Sequence, residues 1–135
     1  MPNPIVHFEI PADDVERASE FYRNAFGWSF NKFDMPNGQT YWGVTTTEVD
    51  EKMRPTKPGE INGGLMKRVA PGQPFMNYIQ VDSIDEMSSK IVASGGIVVM
   101  PKTEIAPNMG WIAAFKDTEG NLIGLHELAE VLKNR

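Results

Sequence analysis

Residues 6–28, VHFEIPADDVERASEFYRNAFGW, and residues 75–97, FMNYIQVDSIDEMSSKIVASGGI, carry one pattern at an offset of 69. Ile10 falls on Ile79, Asp13 on Asp82, Val15 on Ile84 and Gly27 on Gly96. The match continues without a gap to Trp42, in TYWGV, which falls on Trp111, in MGWIA. A longer first-half connection, roughly 47–58, then shifts the offset to 61 and lays GEINGGLM (59–66) over GNLIGLHE (120–127). An internal repeat restricts the architecture more than any single motif, because one supersecondary unit must be built twice.

Each unit reads as β-α-β-β-β. A short apolar strand comes first, at 4–10 and again at 75–81. A helix follows, opened by Asp13 with Glu16 three on, and by Asp82 with Asp85 three on; a carboxylate there can accept from free first-turn N–H groups. Val15, Ala18 and Tyr22, and Ile84, Met87 and Ile91, recur at i, i+3, i+7 and give each helix one apolar face. Gly27 and Gly95–Gly96 supply left-handed C-caps. Three strands complete each unit, near 28–34, 39–46 and 60–67, then 97–101, 109–116 and 121–127. MPNGQ (35–39) and DTEGN (117–121) have hairpin-turn chemistry. The expectation is one α+β domain over 1–135. Unit one spans 4–67, a linker 68–74, unit two 75–128, and a tail with a short helix 129–135.

Composition narrows the function classes. A net charge of −5 and the lack of a Lys/Arg cluster argue against nucleic-acid partners, whose phosphates require positive charge. No cysteine means no disulfide, no thiolate metal site and no thiol nucleophile. The start MPNPIVHFEI has neither a basic nor an apolar signal region, and no apolar run could span a bilayer, so a cytoplasmic protein without membrane contact is expected. G-x-S-x-G, P-loop, G-x-G-x-x-G and H-E-x-x-H patterns are all missing.

HFEIPADDVERASEFYRNAFGW, VDSIDEMSSKIVASGGIVV and FKDTEGNLIGLHE resemble the first strand and helix, the second helix and the final hairpin of the vicinal oxygen chelate superfamily. That group includes glyoxalase I, extradiol dioxygenases, and the fosfomycin- and bleomycin-resistance proteins. The resemblance covers nearly all of 4–128. It implies two βαβββ units that curl their strands into a cup-shaped sheet with helices outside, and it implies a homodimer. Whether the units pair within a chain or by swapping across a dimer stays open.

The resemblance also implies metal-ligand positions on the first and last strand of each unit. These fall on His7 and Met76, and on Gly63 and Gly124, so only His7 could bind a hard or borderline cation. Glycine offers no side chain, and Gly63 and Gly124 are expected to leave room where carboxylates would stand. No cofactor is expected. A divalent metal on His7, Glu9 and His126 remains the alternative, although residues two apart on a strand are about 7 Å apart.

Without a metal, alternate side chains would line a pocket. His7, Trp42, Met76, Tyr78, Trp111 and His126 are the expected ligand-binding residues, with His7 and Glu9 as the candidate acid–base pair. Core packing is the competing reading of Trp42 and Trp111. A hydrogen-bonded strand residue is the competing reading of both histidines. Segment 45–64 would be a lid or an inert surface loop.

Three functions follow. The first is a metal-free protein that binds a small organic molecule between its units, as bleomycin-resistance proteins do. The second is a lyase or isomerase of the lactoylglutathione lyase type, or a dioxygenase relative, with a rearranged site around His7. The third is an interaction module whose cup is packed shut.

Overall fold

The computed structural model describes residues 2–36 and 38–133. Two compact units emerge, one of His7–Phe75 and one of Met1–Val6 with Met76–Arg135. The first contains β1 (Ile5–Ala12, from His7 on), α1 (Val15–Phe26), β2 (Ser29–Asp34), β3 (Thr40–Thr45) and β4 (Asn62–Lys67). The second contains β5 (Met76–Gln80), α2 (Ile84–Ala93), β6 (Ile97–Glu104), β7 (Trp111–Lys116), β8 (Leu122–Glu127) and α3 (Glu130–Lys133). The α+β fold and the doubled β-α-β-β-β order match the sequence expectation. The end of the expected tail, Asn134 and Arg135, and Asn37 of the first hairpin lie outside the described residues.

In the first unit the strands lie in the order β2-β3-β4-β1, with β1 parallel to β4 and the other neighbours antiparallel. Alternation along β1 sends Phe8, Ile10 and Ala12 into a core with Val44 and Leu65, against Val15, Ala18 and Tyr22 of α1. Leu65 is fully buried, a burial that contributes about 1.5–3 kcal/mol. The second unit repeats this scheme as β5-β8-β7-β6, with β5 parallel to β8. Its core joins Val81, Ile84, Ala113, Phe115 and Leu125, packed against Met87 and Ile91 of α2.

Both helices start one residue later than expected. The N-caps are Asp14, accepting from the Arg17 N–H at 3.0 Å, and Ser83, accepting from the Glu86 N–H at 3.1 Å. β1 runs on to Ala12, so the last extended residue before α1 is Asp14, and Asp13 turns to the Arg68 guanidinium at 3.0 Å. Gly27 closes α1 with φ 74°, as expected. The two hairpins also follow their turn chemistry: Met35 N–H bonds to Gln39 O and Asp117 N–H to Asn121 O, at 2.9 and 3.0 Å.

The repeat register differs from the sequence alignment at one place that matters for function. Glu9 pairs with Gly64, and its repeat counterpart Tyr78 pairs with Gly124. Gly64, not Gly63, is therefore the counterpart of Gly124. Gly63 faces the α1 side, where an added Cβ would lie 2.4 Å from the Phe8 carbonyl oxygen.

Segment 45–64 is tied to itself. Thr46 N–H donates to Asn62 Oδ1 at 2.7 Å, its hydroxyl donates to Ile61 O at 2.6 Å, and Val49 bridges Pro55. In the second unit, Glu127 is a buried charge. It accepts from the Ile84 N–H at 2.8 Å and from the Lys133 ammonium at 2.6 Å, with the Lys102 ammonium 3.6 Å away. One carboxylate thus joins the start of α2, β6 and α3.

Candidate functional site

The alternation that buries Phe8 and Ile10 turns His7 and Glu9 to the face of the first unit's sheet away from α1. Across this face, Glu9 of β1 pairs with Gly64 of β4, which pairs with Gly43 of β3, which pairs with Asn31 of β2. Two adjacent glycines leave a bare strip, and rings from neighbouring strands lie down on it. A Cβ on Gly43 would meet Phe33 Cε2 at 3.0 Å, and one on Gly64 would meet the Tyr41 hydroxyl oxygen at 1.7 Å.

Tyr41 thereby crosses β4 and reaches β1. Its hydroxyl donates to Glu9 Oε2. His7 Nε2 lies 3.0 Å from that carboxylate oxygen and 3.0 Å from the hydroxyl oxygen. The single phenolic proton is committed to Glu9, so His7 Nε2 must carry the proton it shares with the two oxygens. His7 and Glu9 side chains are 33% and 13% exposed, so the imidazole is the more open to solvent. An imidazole, a carboxylate and a phenol in mutual hydrogen-bond contact can orient a polar ligand or relay a proton.

The structure brings His7 and Glu9 together, as alternation implied, and much closer than their backbone spacing suggests, because the side chains lean toward each other. Trp42 is elsewhere. It packs with Val44 and Leu65 on the α1 side of the sheet. Trp111 likewise packs against the second core, with the Lys102 ammonium 4.7 Å from its ring centroid. Met76, Tyr78 and His126 share the face of the second unit that carries Gly124. The room expected at Gly124 is filled: an added Cβ would lie 2.4 Å from the Tyr78 ring. Likewise Gly63 holds no ligand space, since Phe8 fills it.

Sequence reasoning missed Tyr41. The available signal was the pairing of YWG with NGG: a tyrosine two residues before one glycine, in a strand facing another. Trp42, the larger neighbour, lies on the opposite face of the same strand.

The fold family implies a divalent metal, and the residues present do not fit one. Gly64 and Gly124 offer no donor, Met76 offers a thioether, and His7 and Glu9 are hydrogen-bonded to each other and to Tyr41. Among the described residues no three His, Cys, Asp or Glu side chains gather around a common point.

Two βαβββ units, each with its first strand parallel to its last, define a vicinal oxygen chelate protein. Residues 4–40 match the family model for the bleomycin resistance protein-like N-terminal region. A glyoxylase-like domain-containing protein of Didymella fabae is 34% identical over 118 residues, covering 84% of each chain. A proposed glyoxylase of Mycobacterium bovis, CFP32, is 29% identical over 120 residues. That match covers 87% of this chain but 42% of the mycobacterial protein. Among solved structures, a methylmalonyl-CoA epimerase in complex with methylmalonyl-CoA and ammonium superposes with a TM-score of 0.69. It is 16% identical, over 97% of this chain and 98% of that one. The chain belongs to the glyoxylase-like domain family.

Proposed function

We propose that the protein binds a small organic molecule without a metal, and that His7, Glu9 and Tyr41 are its polar anchor. The observation that supports this most is the His7–Glu9–Tyr41 set, on a sheet face where the Tyr41 and Phe33 rings lie over Gly64 and Gly43. A few convergent polar groups beside aromatic surface are how small-molecule sites are commonly built. Phe33, 47% exposed on that face, adds the aromatic part. The same fold holds methylmalonyl-CoA in an epimerase, which supports a small-molecule role in general and names no ligand here. Met76, Tyr78 and His126 would contribute from the corresponding face of the second unit, and Trp111 only from its helix side. A homodimer in the cytoplasm is part of this reading.

A second reading is an acid–base lyase or isomerase. The contact of Glu9 with both a phenol and an imidazole favours it, because such a set can take a proton from carbon beside a carbonyl and return it.

Thermal-shift screening of a small-molecule library, with and without nickel, zinc, manganese and iron(II), tests the proposal. Stabilising hits that need no metal and weaken in His7→Ala support it. Hits that appear only with a metal overturn it. Turnover of a hit, lost in Glu9→Gln, would select the second reading.

A further inference from the structure

We propose that Tyr41 is a lock that keeps a metal off the His7–Glu9 pair, and that Gly64 is the position that admits it. The inference rests on the metal-free reading above and explains how this chain's residues enforce it.

His7 Nε2 and Glu9 Oε2 stand 3.0 Å apart. With metal–nitrogen and metal–oxygen bonds of about 2.0–2.2 Å, neighbouring donors around one ion lie roughly 3 Å apart. Once His7 carries its proton on Nδ1 instead of Nε2, these two atoms have the spacing of adjacent metal ligands. What occupies the third corner is the Tyr41 hydroxyl, 3.0 Å from His7 Nε2 and bonded to Glu9 Oε2. A neutral phenol is a poor ligand, since its proton leaves only near pH 10 in the unperturbed group. A metal approaching Glu9 Oε2 must displace the Tyr41 hydroxyl, whose hydrogen bond to a charged acceptor is of the stronger kind.

Gly64 makes the lock possible. An added Cβ at Gly64 would lie 1.7 Å from the Tyr41 hydroxyl oxygen, 2.2 Å from its Cζ and 2.7 Å from Glu9 Oε2. Any side chain at this last-strand position would claim the space now shared by phenol and carboxylate. The carboxylate on this face accordingly comes from β1, and the residue that holds it comes from β3. Tyr41 is thus a positioning residue, acting through Glu9.

The test is isothermal calorimetry of the metal-stripped full chain, without a His-tag, titrated with nickel(II) and then zinc(II). Wild type, Tyr41→Phe, Gly64→Ala, and Tyr41→Phe combined with Glu9→Gln would be compared. Tyr41→Phe is expected to bind nickel about tenfold or more tightly than wild type, because one charge-assisted hydrogen bond no longer competes. Glu9→Gln should cancel that gain, and Gly64→Ala, whose methyl displaces the Glu9 carboxylate as well as the phenol, should show no such gain. Equal nickel affinity in wild type and Tyr41→Phe overturns the lock and leaves the metal-free reading standing. Stoichiometric binding by wild type, lost in His7→Ala, overturns both. A loss of packing alone would lower melting temperature without raising metal affinity, and that result also counts against the lock.

Discussion

The Tyr41 hydroxyl hydrogen-bonds to the Glu9 carboxylate across an intervening strand: Tyr41 sits on β3, Glu9 on β1, and Gly64 of β4 lies beneath the contact. The two residues are 32 apart in sequence and two strands apart in space. No local pattern in either strand announces their contact.

The two glycines beneath the rings should differ sharply on substitution. Gly64→Ala sets a methyl 1.7 Å from the Tyr41 hydroxyl oxygen, so the ring must leave; overpacking of this kind costs about 1–3 kcal/mol. Gly43→Ala meets only the edge of Phe33, at 3.0 Å, and that exposed ring can yield. We expect a clear fall in urea midpoint for the first and a change of less than about 1 kcal/mol for the second. Equal losses would contradict the geometry around Tyr41.

Adjacent aspartates give a second contrast. Asp14 caps α1, and Asp14→Ala should cost about 0.5–2 kcal/mol. Asp13 pairs with Arg68 through a side chain that is 75% exposed, and Asp13→Ala should cost about 0–1 kcal/mol. Chemical denaturation of the two variants side by side reads the difference, and Ser83→Ala in α2 should behave like Asp14→Ala.

Acid stability should report Glu127. Burial pushes its carboxyl up, but hydrogen bonds from Lys133 and from the Ile84 N–H, with the nearby Lys102 charge, outweigh this and hold it below its ordinary value. A carboxyl depressed in the folded state stabilises the fold above its unfolded pKa, about 4.3 for glutamate, and this is lost as pH falls through the folded value. Glu127→Gln should therefore be less stable than wild type at neutral pH, with the gap narrowing below about pH 4. Denaturation midpoints across pH 3–7 would show it; a gap that widens in acid would refute the assignment.

Leu65→Ala tests the first core. The side chain has no exposed surface and fills the space between β4 and α1, so the loss should be about 2–5 kcal/mol. A loss below about 1 kcal/mol would mean the site collapses around the cavity.

Much of the fold was legible in the sequence because repeated patterning is redundant. Val15, Ala18 and Tyr22 declare a helix face, and their counterparts Ile84, Met87 and Ile91 declare it again. The turn residues of both hairpins do the same. Less legible were quantities that depend on where one element hands over to the next. Asp13 and Asp14 are both competent caps, and only the length of β1 chooses between them. Gly63 and Gly64 are adjacent, and only strand register decides which faces Glu9. The polar half of the site, His7 and Glu9, could be read from alternation. Tyr41 was harder to read, because its role depends on a missing side chain on a different strand and the pairing of YWG with NGG shows only once the two strands are set side by side.

The ring of Tyr41 lying over Gly64 means that the chemistry of a strand position here need not belong to that strand. Taken from its own sequence, the last strand of the first unit is blank at this position, because glycine has no side chain. In space the vacancy is tenanted, by a phenol from one side and a carboxylate from the other. A single added methyl at that address would evict both, which makes the plainest residue on the sheet the one that most narrowly determines its surface.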